Sequence, residues 1–549
     1  MSEKYILAID QSTSGTKAIL FTKDCTVHRR VTIPHKQYYP KPEWVEHDPE
    51  EIARNVRTAV SKVMQEGDAS WSDVAAIAVT NQRETGMLWD GVTGKPVYNA
   101  VVWQCPRAKE KCDLLARDAE IAQYIHKKTG LHISENIDRA FKSPNDLFKY
   151  PFIDPGSVYD GNLWDWDSFW SVYALAAYEK TLNDGGAFRK KLIECAMGNV
   201  LNFLSFQLDD GYIPMIVSKY NQGENEEPYL IKKHKDGVIL NMHKPFLCQQ
   251  ACLVSGLTGS FSWLEGYIEK LERYFECYDR YYYNENCGLY VWADDVMIGM
   301  DNDPAVFGRS RFSTAGIYLN SFMVKEMHSM AKILKNTARN DRADYYAQKA
   351  ENLKAAIQNE CYDPRDKFFY SVDVDVKTRS YDWFHKGLGV FWKTLPIKIQ
   401  AWTGFVPMYS EIASGEQAEC LVRMHLENKN TFCSDFGVRS LAKDEKMYNL
   451  EASINPSNWL GPVWLVVNYV VFRGLLNYGY KEEAAELCNK TLLLLGEDYK
   501  KTGTLHEYYN PETGQPIMNP GFLNWNMLQL TCFWKLMKVS VYLITCSQY

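Results

Sequence analysis

The sequence predicts a mainly α protein: a toroid of paired helices with its functional cleft at one end, preceded by a small, incomplete α/β segment. Three observations carry this. The chain's 549 residues exceed the roughly 250 to 300 that one hydrophobic core usually serves. Of its 75 Phe, Trp and Tyr residues, 10 fall in residues 1–135 and 65 in the rest. The spacing of apolar residues changes at the same place, from short strand-like runs to long helical periods. Two domains are therefore expected, 1–135 and 136–549.

In the first, residues 5–9, 17–21 and 74–79 read as short β-strands. Residues 49–64 have helical spacing behind Asp48, a suitable cap. A sheet so small leaves strand edges unpaired. In the second domain, helical periods run over 168–180, 188–208, 261–281, 317–337, 342–360, 415–427, 464–478, 481–495 and 525–545. Between them lie loops rich in Trp, Asp, Asn, Gly and Pro, at 159–167, 291–304 and 455–462. Repeated helical hairpins suit a toroid whose loops meet at one end and wall a cleft.

Composition excludes several classes of function. With 46% hydrophobic and 23% charged residues the chain is ordinary for a globular protein, and its net charge of −7 gives no overall attraction to nucleic acid or anionic lipid. The opening MSEKYILAID holds only a strand-length apolar run, too short for an export signal, so a cytoplasmic protein is expected. Residues 463–476 are interrupted by Asn468 and Arg473 and fall short of the roughly 20 apolar residues a membrane span needs. The 14 cysteines read as reduced, buried side chains. Cys248 and Cys252 form a lone pair and no HExxH occurs, so no metal is expected.

Residues 10–21, DQSTSGTKAILF, place small hydroxylated residues and Gly15 in a turn between two strands. Such a turn is either a plain hairpin or a phosphate cradle of backbone amides and hydroxyls, with Lys17 as added charge. Three more stretches, PEWVEHDPEE at 42–51, TNQRET at 80–85 and WDGVTGKPVYNAVVWQ at 89–104, settle its kinship. Together they resemble the amino-terminal part of the FGGY carbohydrate kinases, glycerol kinases among them, over residues 5–134. The resemblance implies a truncated ribonuclease-H-like fold. It puts the phosphate-binding turn on Gln11, Ser12, Thr13, Gly15 and Lys17, and a polyol-contacting pair on Arg83 and Glu84. Phosphoryl transfer needs a positioned base and an electrostatic clamp. The family's catalytic Asp and adenosine-gripping glycine motif lie in later sequence, and neither occurs in this chain. Cys105 stands where these kinases usually carry Asp, although Arg107 remains. The resemblance implies ancestry more than activity.

The second domain carries different chemistry. YDGNLWDWDSF, residues 159–169, alternates indoles, which stack on sugar rings, with carboxylates, which accept from sugar hydroxyls. A core and helix-cap role is the alternative reading. VWADDVMIGMDNDP, residues 291–304, crowds four Asp into one loop whose spacing does not match the ligand ladder of an EF-hand. SNWLGPVW at 457–464 and LHEYYNPETGQ at 505–515 add two tryptophans around a Gly-Pro turn and a Glu beside aromatic residues.

In their order, these motifs resemble glycoside hydrolase family 63, and above all its mannosylglycerate-hydrolase-like branch, from about residue 137 onward. The resemblance implies an (α/α)6 toroid and an inverting glycosidase, with Asp301 as general acid and Glu507 as general base. Trp164, Trp166, Asp167, Trp459 and Trp464 would shape the pocket, with Trp292 as a further wall and Lys244, in NMHKPF, as a polar contact. Trp292 lies farther ahead of the catalytic Asp than the branch usually has it. Inversion requires a protonated and an ionised carboxyl about 6.5 to 9.5 Å apart. Burial against Trp292 and Met300 would hold Asp301 protonated, and a more solvated Glu507 would stay ionised. Alpha-linked glucosides or mannosides are the expected substrates, and no cofactor is implied. The competing readings are a sugar or polyol kinase and a non-catalytic carbohydrate-binding protein.

Overall fold

The structure, a computed structural model, describes residues 4–41, 44–82, 85–102, 105, 107, 140–156, 159, 161–182, 185–218, 241–376, 392–451, 457–502, 504–522 and 525–536. The chain divides into two units, Met1–Ser134 and Glu135–Tyr549, each with its own hydrophobic cluster.

The first unit is a sheet with one helix. Strands β1 (Tyr5–Gln11), β2 (Gly15–Thr22) and β3 (Val27–Pro34) form an antiparallel meander, and β4 (Val74–Asn81) returns parallel to β1. The return is made through α1 (Pro49–Glu66), which Asp48 caps by accepting the backbone N–H of Glu50 at 2.9 Å. Leu7, Ala18 and Leu20 of the sheet meet Ala59, Val63 and Met64 of the helix. Strand β3 escaped the sequence reading because its side chains, His-Arg-Arg among them, lie mostly exposed and show no apolar alternation. Strand β4 ends the sheet, and no described strand pairs with its outer side.

The second unit is built from helix pairs. Six inner helices run in chain order: α2 (Asp165–Tyr178), α4 (Leu247–Thr258), α6 (Ile317–Asn336), α8 (Val406–Tyr409), α10 (Leu465–Asn477) and α12 (Leu528–Leu536). Each packs on the next, and α12 packs back on α2, so the ring closes. The outer helices are α3 (Ala187–Ser205), α5 (Ile268–Tyr281), α7 (Asn340–Glu360), α9 (Gly415–Cys420) and α11 (Lys481–Thr502), five among the described residues. Inner helices are buried on nearly every side, as α2 and α10 are, whereas α7 and α11 bury one stripe. That difference explains what the sequence hides. Helix α4 is buried almost throughout and α8 is a single turn, so neither shows an amphipathic period. Gly474 lets α10 approach α8, since a Cβ there would lie 2.9 Å from that of Met408. No helix among the described residues is long and apolar enough to cross a membrane.

Candidate active site

The inner helices start at one end of the ring, and the segments leading into them enclose a cavity of about 420 Å³. Strand residues Leu163–Trp164 lead into α2 and Val463–Trp464 into α10, each held by an antiparallel pairing. The helix starts supply positive partial charge, which favours the carboxylates gathered there. Asp301, Glu507, Trp164, Trp166, Asp167, Lys244, Trp459 and Trp464 all line this cavity.

Glu507 sits on the strand His506–Tyr509, between Val463–Trp464 and Pro516–Pro520. Its side chain is 3% exposed. Oε1 accepts from the Tyr159 hydroxyl at 3.3 Å and Oε2 from the Asn519 amide. Burial pushes its carboxyl up to about 7, the two hydrogen bonds pull down, and the negative charge of Asp301 adds a further push upward. This corrects the expectation of a solvated Glu507: of the two carboxyls it is the more deeply buried, and Asp301 is only half-buried.

Asp301 follows Gly299, whose φ of +72° suits glycine, and a Cβ at that position would meet the Lys244 ammonium at 3.2 Å. Two bonds pin the loop. The Trp402 indole donates to Met300 Sδ at 3.3 Å, and Asn302 Oδ1 accepts the backbone N–H of Trp459 at 2.7 Å. The loop of Asp301 is thus tied to the loop of Trp459. Asp303 does other work: nearly inaccessible, pushed up to about 6 by burial, it accepts the N–H of Ala305 and holds the turn.

The indoles form a connected wall. Trp459 and Trp464 stack with centroids 4.0 Å apart and an interplanar angle of 5°, and Trp464 in turn stacks on Tyr508. Trp166 packs beside Trp459 and Trp525. Lys244 is fully buried rather than a surface lysine. Its ammonium pairs with Asp165 Oδ1 at 2.8 Å, and Asp165 Oδ2 accepts the Lys244 backbone N–H at 2.7 Å.

Trp292 stands elsewhere. It is 1% exposed, stacks on Tyr318 and packs against the backbone at Gly316, at the head of α6. Its distance from Asp301 along the loop places it in the core instead of on the cavity wall. Tyr159, Asn519 and Trp525 were missed as site residues. Tyr159 opens the quoted aromatic-acidic motif and was legible there; Asn519 reaches Glu507 only through strand pairing.

In the first unit, the turn between β1 and β2 folds on itself. Ser12 Oγ donates to the Gly15 carbonyl at 2.8 Å, Lys17 pairs with Asp10 at 2.8 Å, and Gln11 meets His35 at 3.1 Å. A Cβ at Gly15 would lie 2.5 Å from the Ile33 carbonyl oxygen, so strand packing already requires the glycine. Thr13 lies in the same turn. Arg107 donates to Cys105 Sγ at 2.9 Å and pairs with Glu46. Arg83 and Glu84 lie outside the described residues.

A helical ring with two carboxyls in an indole-walled cavity is the architecture of a toroidal glycoside hydrolase. Residues 161–525 match the model of the mannosylglycerate hydrolase MGH1-like glycoside hydrolase domain, and the chain belongs to that family. Residues 5–137 match the N-terminal domain of the FGGY family of carbohydrate kinases. Solved structures of the GH63 mannosylglycerate hydrolase from Thermus thermophilus, one with glucose and one with Tris and D-glycerate, share the fold. Each is 17% identical with a TM-score of 0.50, over 70% of this chain and 95% or 96% of theirs. Among curated proteins, glycerol kinase 1 of Thermotoga maritima is 55% identical over 127 residues and the glycerol kinase of Francisella philomiragia 45% over 131. These cover 23% and 24% of this chain, which spans about a quarter, 26%, of the length of each kinase.

Proposed function

We propose that the protein is an inverting glycosidase that hydrolyses alpha-linked glucosides or mannosides. Asp301 protonates the leaving oxygen and Glu507 removes a proton from the attacking water. One observation carries the reading: two carboxyls from loops far apart in the chain line a single cavity among tryptophans. A base works best when its pKa lies near the working pH, and Glu507 at about 7 meets that condition. Tyr159 and Asn519 each hold one of its two oxygens, which orients the carboxyl and leaves further lone pairs to accept from water. The indoles would stack on the ring being cleaved and Lys244 would anchor Asp165 beside it.

On this reading the substrate is a small carbohydrate, no cofactor is used, and the enzyme acts in the cytoplasm without nucleic acid or membrane as partner. Residues 136–549 do the chemistry, and residues 1–135 are a carbohydrate-kinase fragment without phosphoryl-transfer activity. The test is a panel of alpha-glucosides and alpha-mannosides with the anomer of fresh product followed by NMR. Inversion is expected for any substrate cleaved. Asp301→Asn and Glu507→Gln should each lower turnover by at least about a hundredfold. Retention of configuration, or full activity in both folded variants, overturns the proposal.

A further inference from the structure

At the other end of the ring, where the inner helices finish, lies a second recess of about 40 Å³, walled by residues of α2, α4, α6, α8 and α10. Arg473, near the end of α10, reaches into it. Its guanidinium is buried; Nη1 donates to the hydroxyls of Tyr173 at 3.1 Å and Tyr469 at 3.2 Å, and Nε has no hydrogen-bond partner among the described residues. The phenols of Tyr469, Tyr173 and Tyr409 are its strongest electrostatic neighbours. A second cation stands close by. Lys535 of α12 is held down to about 8, first by burial and then by the charge of Arg473. Lys325 also lines the recess, and the one carboxylate among the lining residues is that of Glu411, exposed at the rim.

A buried guanidinium without a counter-charge is costly, and buried charges are as a rule paired. The last turn of α10 contributes at most roughly half an elementary negative charge, so its own helix end offsets the Arg473 guanidinium only in part. We propose that this recess binds a small monovalent inorganic anion of the size of chloride, seated against Arg473 and locking α10 to its neighbours in the ring. A cavity needs about 10 to 15 Å³ to hold a water, so a recess of about 40 Å³ has room for a halide with a water beside it.

The test uses the full chain in two ways. Crystals soaked in bromide should give an anomalous peak within hydrogen-bonding distance of the Arg473 side chain. Thermal unfolding at constant ionic strength should show a saturable rise of about 2 °C or more when chloride replaces gluconate, and Arg473→Met should abolish that rise. Absence of bromide from the recess, or an equal chloride response in Arg473→Met, overturns the proposal. Should Arg473→Met fail to fold, the bromide map of the wild type decides alone.

Discussion

On the proposed mechanism, Glu507 answers two opposed demands. It must be ionised to take a proton, and it must be shielded from bulk water so that only one water reaches it. Burial raises its carboxyl to about 7 while Asn519 and Tyr159 pull it down, so activity should fall as pH drops below about 7 and the base becomes protonated. A glycosyl fluoride needs no protonation of its leaving group, which separates the two roles. With that substrate Asp301→Asn should recover at least about tenfold of its lost rate, whereas Glu507→Gln should recover nothing. A pH–rate profile checks the sign. Both carboxyls were legible in the sequence as members of motifs. Their relative burial was not, because it depends on which strand covers which loop.

The element that matters most is the hairpin of His506–Tyr509 with Pro516–Pro520, since it brings Asn519 to Glu507. Its turn, NPETG, is readable as a turn; its pairing register is not, because the register shifts between Tyr508 and Tyr509. Replacing Asn519 by Ala removes a charge-assisted hydrogen bond of about 1.5 to 3 kcal/mol, so Glu507 should titrate at higher pH and turnover at neutral pH should drop about tenfold or more. An unchanged profile would mean that Asn519 is a bystander. The helices tell a related story. Helices with one buried stripe, such as α7 and α11, announced themselves through their period. Helix α4 lies outside the predicted helical spans, although α2 and α10, buried as fully, fall largely within them.

At the scale of the whole molecule, aromatic content rises abruptly near residue 135, and the chain's contacts divide into units that meet after Ser134. The aromatic share was legible because a helical ring buries its inner members on nearly all sides and fills them with large side chains. Among the described residues, the first unit's hydrophobic cluster holds seven buried residues and is far smaller than that of the second. Scanning calorimetry should therefore resolve two transitions, the smaller unit melting first. Every residue lining the carboxylate cavity belongs to the second unit, so hydrolysis should survive the first transition. A single cooperative melt with simultaneous loss of activity would contradict this.

Strand β4 sets the terms on which this protein can be stored. Ile77 and Val79 stand 55% and 70% exposed along an outer border that lacks a neighbour among the described strands. Two molecules that meet along such borders can knit their backbones together, a step that grows with the square of concentration and that natural proteins commonly forestall with a lysine. Light scattering of concentrated samples should accordingly record particles that enlarge over days. Val79→Lys should keep the solution monodisperse at undiminished turnover, and equal clouding of both samples would acquit the strand.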